Sequence, residues 1–445
     1  MFLVKRHKWV DKISGLRYNI DNYLEQKIIA IKEGKSDMKK LYVLLTSILL
    51  ACAMTACGTT TQKEPVIIDV ESQPVTPDEP TPGTKETDVS TDETKEEPEA
   101  TQEPESVADT AVIKDRYVDE NGRMQSYLTG EWKDASVVER RPMAVMTPNN
   151  KVAMPQYGIS KASIIYEAPV EGRITRLMMV VEDYDDLDFI GPVRSSRDYY
   201  VYEAMAYDAI YCNWGLAVPF VEHLLASDRV DNISQAVSGI HNPYQNAFFR
   251  RERPGYKKEY TGYMYIDEYE KGVEHFGYSK NYRDTFEQAF TFANDGWPAT
   301  YDGYEEATKI YPGGSNSSNK SGYGSHRPSF EYNADDGLYY RYQYDGPQVD
   351  EVNGEQLAVA NVIFKVCHGE VREPVSYDYL AFGVHGTGDA YIFTNGKVIK
   401  GTWKRDSDNS ANMFYDDKGN EVIFNQGKTW ICCIWDQYKD CMEWK

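Results

Sequence analysis

The stretch SIIYEAPVEGRITRLMMVV, residues 163–181, decides the fold class. It contains two apolar runs, residues 163–167 and 174–181, and the turn sequence Glu171-Gly172-Arg173 lies between them. Short runs rich in β-branched residues and bounded by turn residues are typical of strands, so the stretch predicts two strands joined by a turn. Residues 141–147 predict another strand, which ends in a turn that contains Asn149.

Strands and helices interleave in the rest of the first half. Residues 210–212 predict a strand, and three segments predict helices: residues 155–162, 195–207 and 219–226. In the second of these helices, apolar side chains recur at spacings of three and four residues. The first half is therefore predicted to be a mixed α/β domain over residues 127–312.

The second half changes to short strand-like runs, such as residues 429–435, separated by turn signals such as Asn395-Gly396. It predicts a mostly antiparallel β domain over residues 328–445. The small, polar loop of residues 313–327 has the composition of a flexible linker and marks the predicted boundary. The predicted fold class is α+β, with a mixed α/β N-terminal domain and a β-rich C-terminal domain.

The N-terminal region predicts a lipoprotein export signal at residues 38–57. Two lysines precede an apolar run, residues 41–53, that is short for a membrane span, and Met54-Thr55-Ala56-Cys57 follows it. Lipidation of Cys57 would hold the protein on the extracytoplasmic face of the cell membrane. A signal-anchor helix and a second cleavage box ending at Cys52 are the alternatives. Residues 1–37 precede the signal and are predicted to be a non-native upstream extension.

Residues 58–120 are predicted to be a disordered acidic linker, with binding of a partner as an alternative role. Residues 62–110 hold 15 acidic and 3 basic side chains and contain no aromatic residue, so they cannot bury enough apolar surface to fold. The whole chain carries a net charge of −22, and the part after residue 110 is itself acidic. This charge argues against nucleic acid as a partner, because phosphate binding needs a basic surface.

Four arginines within 25 residues form the strongest candidate site in this acidic chain. Two of them, Arg194 and Arg197, lie at a predicted helix start, where free backbone N–H groups favour an anion. Arginine suits carboxylate or phosphate recognition because its guanidinium is a planar fork of donors. The candidate ligand-binding residues are Arg173, Arg176, Arg194, Arg197, Glu171 and Asn149. Glu171 is also the candidate acid or base if the site is catalytic.

The alternative interpretation of the arginines is structural. In that case they pair with Glu171, Glu167 or Asp198 and stabilise the packing of strand on helix. Arg173 and Arg176 cannot share one face of a strand, because their spacing is odd.

Other candidate sites have weaker patterns. The acidic turn of residues 182–188 lacks the glycine and the distal glutamate of a calcium-binding EF-hand loop. His241 lies in a polar loop without a recognisable nucleophile nearby. The five cysteines after the signal form no Cys-x-x-Cys pair and predict buried thiols. No metal or cofactor is predicted.

Ordered motifs from Val138 to Trp435 resemble the YerB-like lipoproteins, which carry two linked domains of unknown function. The motifs of the first half are Arg141-Pro142-x-Ala144-Val145-Met146, Pro155-Gln156-x-Gly158-Ile159-Ser160, Ile165-Tyr166-Glu167, Glu171-Gly172-x-Ile174-Thr175-Arg176 and Ile190-Gly191-Pro192-Val193-Arg194-Ser195-x-Arg197. Those of the second half include Thr394-Asn395-Gly396-Lys397, Thr402-Trp403-Lys404 and Gly427-Lys428-Thr429-Trp430-Ile431. The resemblance implies a membrane-attached protein and brings no catalytic assignment.

Some positions depart from that family's pattern. Pro148-Asn149 stands where relatives tend to have Asp-Asn, and Gln348 stands where they tend to have histidine. These departures favour binding over catalysis. The prediction is an extracytoplasmic lipoprotein that binds an anionic or glycan ligand of the cell envelope, such as a wall polymer, or an envelope protein. The alternative is an envelope hydrolase acting on a phosphodiester or glycosidic bond.

Overall fold

A computed structural model describes residues 112–113, 115–315, 321–372 and 378–445. The predicted signal, Cys57 and most of the predicted linker lie outside these residues. Within them the four α-helices are α1 (Ala135–Glu139), α2 (Asp198–Met205), α3 (Val218–Leu225) and α4 (Ile266–Phe276).

The same residues form 26 strands, most of them short. They are β1 (Arg123–Gln125), β2 (Trp132–Asp134), β3 (Met143–Pro148), β4 (Ile164–Val170), β5 (Ile174–Val181), β6 (Phe189–Ile190), β7 (Ile210–Asn213), β8 (Asn232–Ser234), β9 (Phe248–Arg250), β10 (Gly262–Tyr265), β11 (Thr291–Phe292), β12 (Glu305–Glu306), β13 (Lys309–Tyr311), β14 (Ser329–Asn333), β15 (Leu338–Gln343), β16 (Gly346–Pro347), β17 (Ala358–Val359), β18 (Asn361–Cys367), β19 (Gly369–Val371), β20 (Leu380–Phe382), β21 (Gly386–Thr394), β22 (Lys397–Arg405), β23 (Met413–Asp416), β24 (Ile423–Phe424), β25 (Thr429–Trp435) and β26 (Glu443–Trp444).

One mixed sheet of 11 strands runs through both halves of the described chain. Its order is β12-β22-β21-β18-β25-β4-β5-β3-β7-β8, and β23 pairs with β22. The halves meet where β25 pairs in parallel with β4, which sets Cys432 opposite Glu167. A second sheet of six strands combines β13, at the end of the first half, with β14 to β17 and β26 of the second half. The fold is therefore strand-rich, with 38% strand and 15% helix.

The central strands are buried on both faces, which explains their nearly continuous apolar sequence. Along β5, Met178 and Val180 belong to one hydrophobic cluster, and Leu177 and Met179 belong to another. Successive strand residues point to opposite faces, so these two clusters are the cores above and below the sheet. Helices α2 and α3 pack on the first core, whereas α4 packs on the second.

Most predicted elements of the first half are observed. The strand over residues 174–181 is confirmed with the same bounds, a helix forms within the predicted segment 195–207, and another forms one residue ahead of the predicted segment 219–226. The predicted helix over residues 155–162 is wrong, because only a 3₁₀ turn at Ile159–Lys161 forms there. Gly158 adopts a left-handed conformation with φ of +84°, and its N–H donates to Asp350 Oδ1 instead of entering a helix.

The second half follows its predicted pattern closely. Residues 429–435 form β25 with the predicted bounds, and most ladders of this half are antiparallel. The division into two domains stays a prediction. At the described end of the loop that separates them, Tyr323 and His326 are buried, and the Tyr323 hydroxyl donates to carbonyl oxygens of Glu167 and Cys433. Ile113, within the predicted linker, is also buried.

Candidate anion-binding site

The structure separates the predicted arginines into different environments. Arg173 lies in the β4–β5 turn with φ of +60°, and its side chain is exposed. Arg176 lies within β5 and is buried. Arg194 is half-buried in the segment after β6, and Arg197 is the residue that precedes α2. Arg173 therefore does not share a face with Arg176, as their spacing predicts.

Arg197 and Glu171 form a tight ion pair. Arg197 Nε donates to Glu171 Oε1 at 3.0 Å and to Oε2 at 3.2 Å, and Arg197 Nη2 also contacts Oε2. Burial by itself would raise the pKa of Glu171, but the hydrogen bonds and charge of Arg197 outweigh it and lower that pKa. Glu171 is therefore ionised near neutral pH, and Arg197 has the structural partner that the alternative interpretation predicts.

Arg176 lacks a carboxylate of its own among the described hydrogen bonds and ion pairs. Its Nη1 donates to the carbonyl oxygen of Ser195 at 2.6 Å. The pKa of Arg176 falls to about 10, because the side chain is buried and because the positive charges of Arg197 and Arg194 lie near it. This arginine is a buried cation among other cations.

Arg194 extends the positive region to the surface. Backbone hydrogen bonds to the carbonyl of Met146 and from the N–H of Trp214 hold its main chain in place. Its Nη1 donates to the carbonyl oxygen of Glu259 at 2.9 Å, and its guanidinium lies 5.1 Å from the ring centre of Tyr260. The carboxylate of Glu259 is 3.4 Å from Arg194 Nη2 and is half-exposed. It therefore offsets the positive charge of Arg194 only weakly.

A fifth arginine, Arg250, joins this region and was missed from the sequence. Its guanidinium lies 3.9 Å from the ring centre of Trp214, and burial together with the nearby charge of Arg194 lowers its pKa. A signal was available in the sequence, because residues 250–258 hold five basic side chains and one acidic one in an acidic chain. We call Arg176, Arg194, Arg197 and Arg250 the arginine cluster.

Asn149 lies elsewhere, in a buried network around Glu167. Its Nδ2 donates to Glu167 Oε1 at 3.0 Å and to Thr175 Oγ1 at 2.8 Å. The other groups on the Glu167 carboxylate are the Thr175 hydroxyl, His326 Nε2, Arg341 Nη2 and Trp430 Nε1, all within 3.0 Å. Glu167 and its partners are almost completely inaccessible to solvent.

The charges within this network are well defined. Burial would raise the pKa of Glu167, but the charge of Arg341 and the hydrogen bond of His326 outweigh it and lower the pKa to about 2. Burial lowers the pKa of His326, against the opposing effect of Glu167, so this histidine is neutral near pH 7. The network is a fully buried ion pair with neutral hydrogen-bond donors around it. It was not predicted, since its members are far apart in sequence.

The weaker candidates have ordinary structural partners. In the acidic turn, Glu182 accepts hydrogen bonds from two buried serines, and Asp185 pairs with Arg140. His241 pairs with Glu222 on the surface. Across the described ranges, no group of three or more His, Cys, Asp or Glu side chains has the arrangement of a metal site. No helix in the described part of the chain is long and apolar enough to cross a membrane.

Two family models, both of unknown function, match consecutive parts of the chain. Residues 128–279 match the family model described as "Protein of unknown function (DUF3048) N-terminal domain". Residues 320–431 match its counterpart, "Protein of unknown function (DUF3048) C-terminal domain". The chain belongs to this YerB-like family.

A relative and a solved structure support this assignment. The relative is YerB of Bacillus subtilis (strain 168), which is named as a candidate lipoprotein. It is 29% identical over 329 residues, which cover 73% of this chain and 90% of the relative. The crystal structure of YerB protein from Bacillus subtilis has a TM-score of 0.57 at 24% identity and covers 72% of this chain and 98% of that chain. The resemblance seen in the sequence motifs is confirmed.

Proposed function

We propose that this protein is an extracytoplasmic, membrane-anchored lipoprotein that binds an anionic ligand of the cell envelope through the arginine cluster. The observation that carries the proposal is electrostatic: Arg176 lies near the positive charges of both Arg194 and Arg197, and Arg250 lies near Arg194. Among the described ion pairs, only those of Glu171 and Glu259 neutralise part of this positive charge. A ligand with negative charge would relieve the repulsion.

Within the cluster, the surface residues Arg194 and Arg250 are the proposed contacts. Each lies against an aromatic ring, Tyr260 or Trp214, which orients its guanidinium and limits its motion. The buried positive charge of Arg176 would add electrostatic attraction for the ligand. Arg197 already pairs with Glu171, so it is not a proposed contact. Phosphate and carboxylate both suit a guanidinium, and phosphate brings more acceptor oxygens.

Binding is favoured over hydrolysis because of the state of Glu171. A general acid must hold a proton near the working pH, whereas the pKa of Glu171 is lowered by Arg197. Its oxygens are also occupied by the arginine. Glu171 is therefore not suited to act as the acid of the hydrolase alternative, which stays a prediction.

The test measures binding of the full chain in detergent to two soluble polyanions, poly(glycerol phosphate) and polyglutamate. We expect binding that weakens with added salt, and we expect Arg194→Gln and Arg250→Gln each to reduce affinity about tenfold, the loss of one charge-assisted contact. Stronger binding of poly(glycerol phosphate) would assign phosphate as the ligand chemistry.

Arg123→Gln is the matched control. Arg123 also pairs with a carboxylate, Asp119, at 3.0 Å, and its guanidinium lies 5.9 Å from the ring centre of Trp132. Its substitution removes the same charge and the same kinds of contact away from the cluster. Equal losses from Arg123→Gln and Arg194→Gln would mean that only net charge matters, which would contradict a specific site.

The membrane anchor has its own test. We expect Cys57→Ser to release the protein from the membrane fraction, because the thiol that carries the acyl chain is lost. Cys52→Ser serves as the control for the second cleavage box. If the Cys52→Ser variant is released and the Cys57→Ser variant stays in the membrane fraction, Cys52 is the lipidated residue instead.

A further inference from the structure

A second surface site lies at the end of β25 and reaches Glu171, the ion-pair partner of Arg197, at its far end. A groove of about 1010 Å³ is lined by side chains that include Trp435, Tyr438, Val371 and Asp389. It adjoins another groove of about 420 Å³, with which it shares Trp435, Tyr438 and Val371 and which continues to Arg173. Together they form an elongated depression, which we call the tryptophan groove.

The aromatic rings of this groove are held in place before any ligand arrives. The Trp435 indole N–H donates to the carbonyl oxygen of Gly369 at 2.9 Å. The ring packs edge-to-face against the buried Phe382 at 5.8 Å and against Tyr438 at 5.4 Å. A Cβ atom on Gly369 would lie 2.5 Å from Trp435 Cδ1, so glycine is required for the ring to lie there. Binding would therefore cost little side-chain ordering.

Apolar surface remains exposed between these rings. Val371 is 45% exposed, and Trp435 and Tyr438 are half-buried although both rings are large. Single exposed apolar side chains are common on protein surfaces, but three that line the same groove offer apolar surface suited to a ligand.

The rim of the groove is polar and slightly acidic. His368 Nδ1 pairs with Asp436 Oδ2 at 2.8 Å, and Lys439 Nζ lies 3.5 Å from Asp389 Oδ2. With Glu370 also at the rim, acidic groups outnumber basic ones. A polyanion is disfavoured here, and the carboxylate oxygens can accept hydrogen bonds from neutral hydroxyl groups.

We propose that the tryptophan groove binds an uncharged glycan chain. Because the planes of Trp435 and Tyr438 are nearly perpendicular, one sugar unit would stack its C–H face on Trp435 and another would stack on Tyr438. Their hydroxyl groups would donate to the rim carboxylates. The volumes of about 1010 Å³ and about 420 Å³ leave room for more than one sugar unit. A basic peptide would also meet aromatic rings and carboxylates, but Asp436 and Asp389 already pair with His368 and Lys439, which favours the neutral ligand.

The experiment is calorimetric titration of the full chain in detergent with cellotetraose, with chitotetraose and with tetralysine. We expect at least one of the two glycans to bind, and Tyr438→Ala to weaken that binding about tenfold. Tyr117→Ala is the matched control, because Tyr117 is exposed and packs edge-to-face on Trp132 at 5.6 Å. We expect the Tyr117→Ala variant to bind the glycan with the same affinity as the unaltered chain.

The proposal stands or fails independently of the arginine cluster. Arg194→Gln should leave glycan binding unchanged, and Tyr438→Ala should leave polyanion binding unchanged. If Tyr438→Ala does not fold, Val371→Ser tests the same surface at an exposed position. Binding of tetralysine alone, absence of glycan binding, or equal glycan affinity in the folded groove variants and the unaltered chain would overturn it.

Discussion

The carboxylate of Glu167 accepts a hydrogen bond from Arg341 Nη2 at 2.8 Å, although 174 residues separate the two in the chain. Glu167 belongs to β4 in the first half, and Arg341 belongs to β15 in the second. Both side chains are buried, so each depends on the other for its charge balance. This pair connects the two halves of the protein through its interior.

Removing the charge of Glu167 should therefore destabilise the whole described fold. We expect Glu167→Gln to lower the free energy of unfolding by about 3–5 kcal/mol, because it leaves Arg341 buried without a counter-charge. Urea denaturation followed by circular dichroism measures the change. The control is Glu305→Gln, whose partner Lys400 is half-exposed, and a loss under about 1 kcal/mol is expected there. Similar losses in both variants would contradict the role of burial.

Stability should decline as the pH falls below about 6.5, and His326 should contribute to the upper part of that decline. Because burial lowers the pKa of His326 below its ordinary value of 6.5, the unfolded chain takes up a proton in this range and the folded chain does not. Glu167 adds a second loss between about 4.5 and about 2, the interval between its ordinary and its folded pKa. Denaturation at several pH values would show a shallower slope near pH 6 for His326→Gln; an unchanged slope would refute the assignment.

The cysteines after the signal should differ in reactivity. Cys212, Cys367, Cys432 and Cys433 are buried, and burial raises the pKa of Cys212, Cys432 and Cys433, so few thiolates form at these sites. Cys441 is partly exposed. We expect a thiol reagent to label Cys441 first in the native chain, as identified by peptide mass spectrometry. Labelling of Cys433 at the same rate would show that the sheet opens readily.

Gly401 should tolerate no side chain. A Cβ atom there would lie 1.8 Å from the carbonyl oxygen of Tyr415, on the strand paired with β22. We expect Gly401→Ala to lower the free energy of unfolding by about 1–3 kcal/mol, because the two strands must separate. Gly346→Ala is the control, since no atom outside its chain neighbours lies within 4 Å of that position. Equal unfolding midpoints for the two variants would be the contrary result.

The arginine cluster shows how far sequence reasoning reaches towards a site. Arg194 and Arg197 were recognisable because arginines stand out in an acidic chain, and the predicted pairing of an arginine with Glu171 is observed. Arg250 was missed, although it lies beside Arg194, because more than 50 residues of chain separate them. Asn149 was grouped with the arginines, yet the fold places it in the buried network of Glu167.

The sequence by itself determined the strand-rich pattern of the second half, the bounds of strands such as residues 174–181 and 429–435, and membership of the YerB-like family. The first half was predicted to be mixed α/β and contains fewer helices than that prediction implies. These properties depend on neighbouring residues: alternation, turn residues and ordered motifs. Only the tertiary structure decided that β25 lies beside β4, that Glu167 meets Arg341, and that Trp435 lines a groove shared with Arg173. Such contacts join distant segments, and the packing of the whole sheet selects them rather than any local preference.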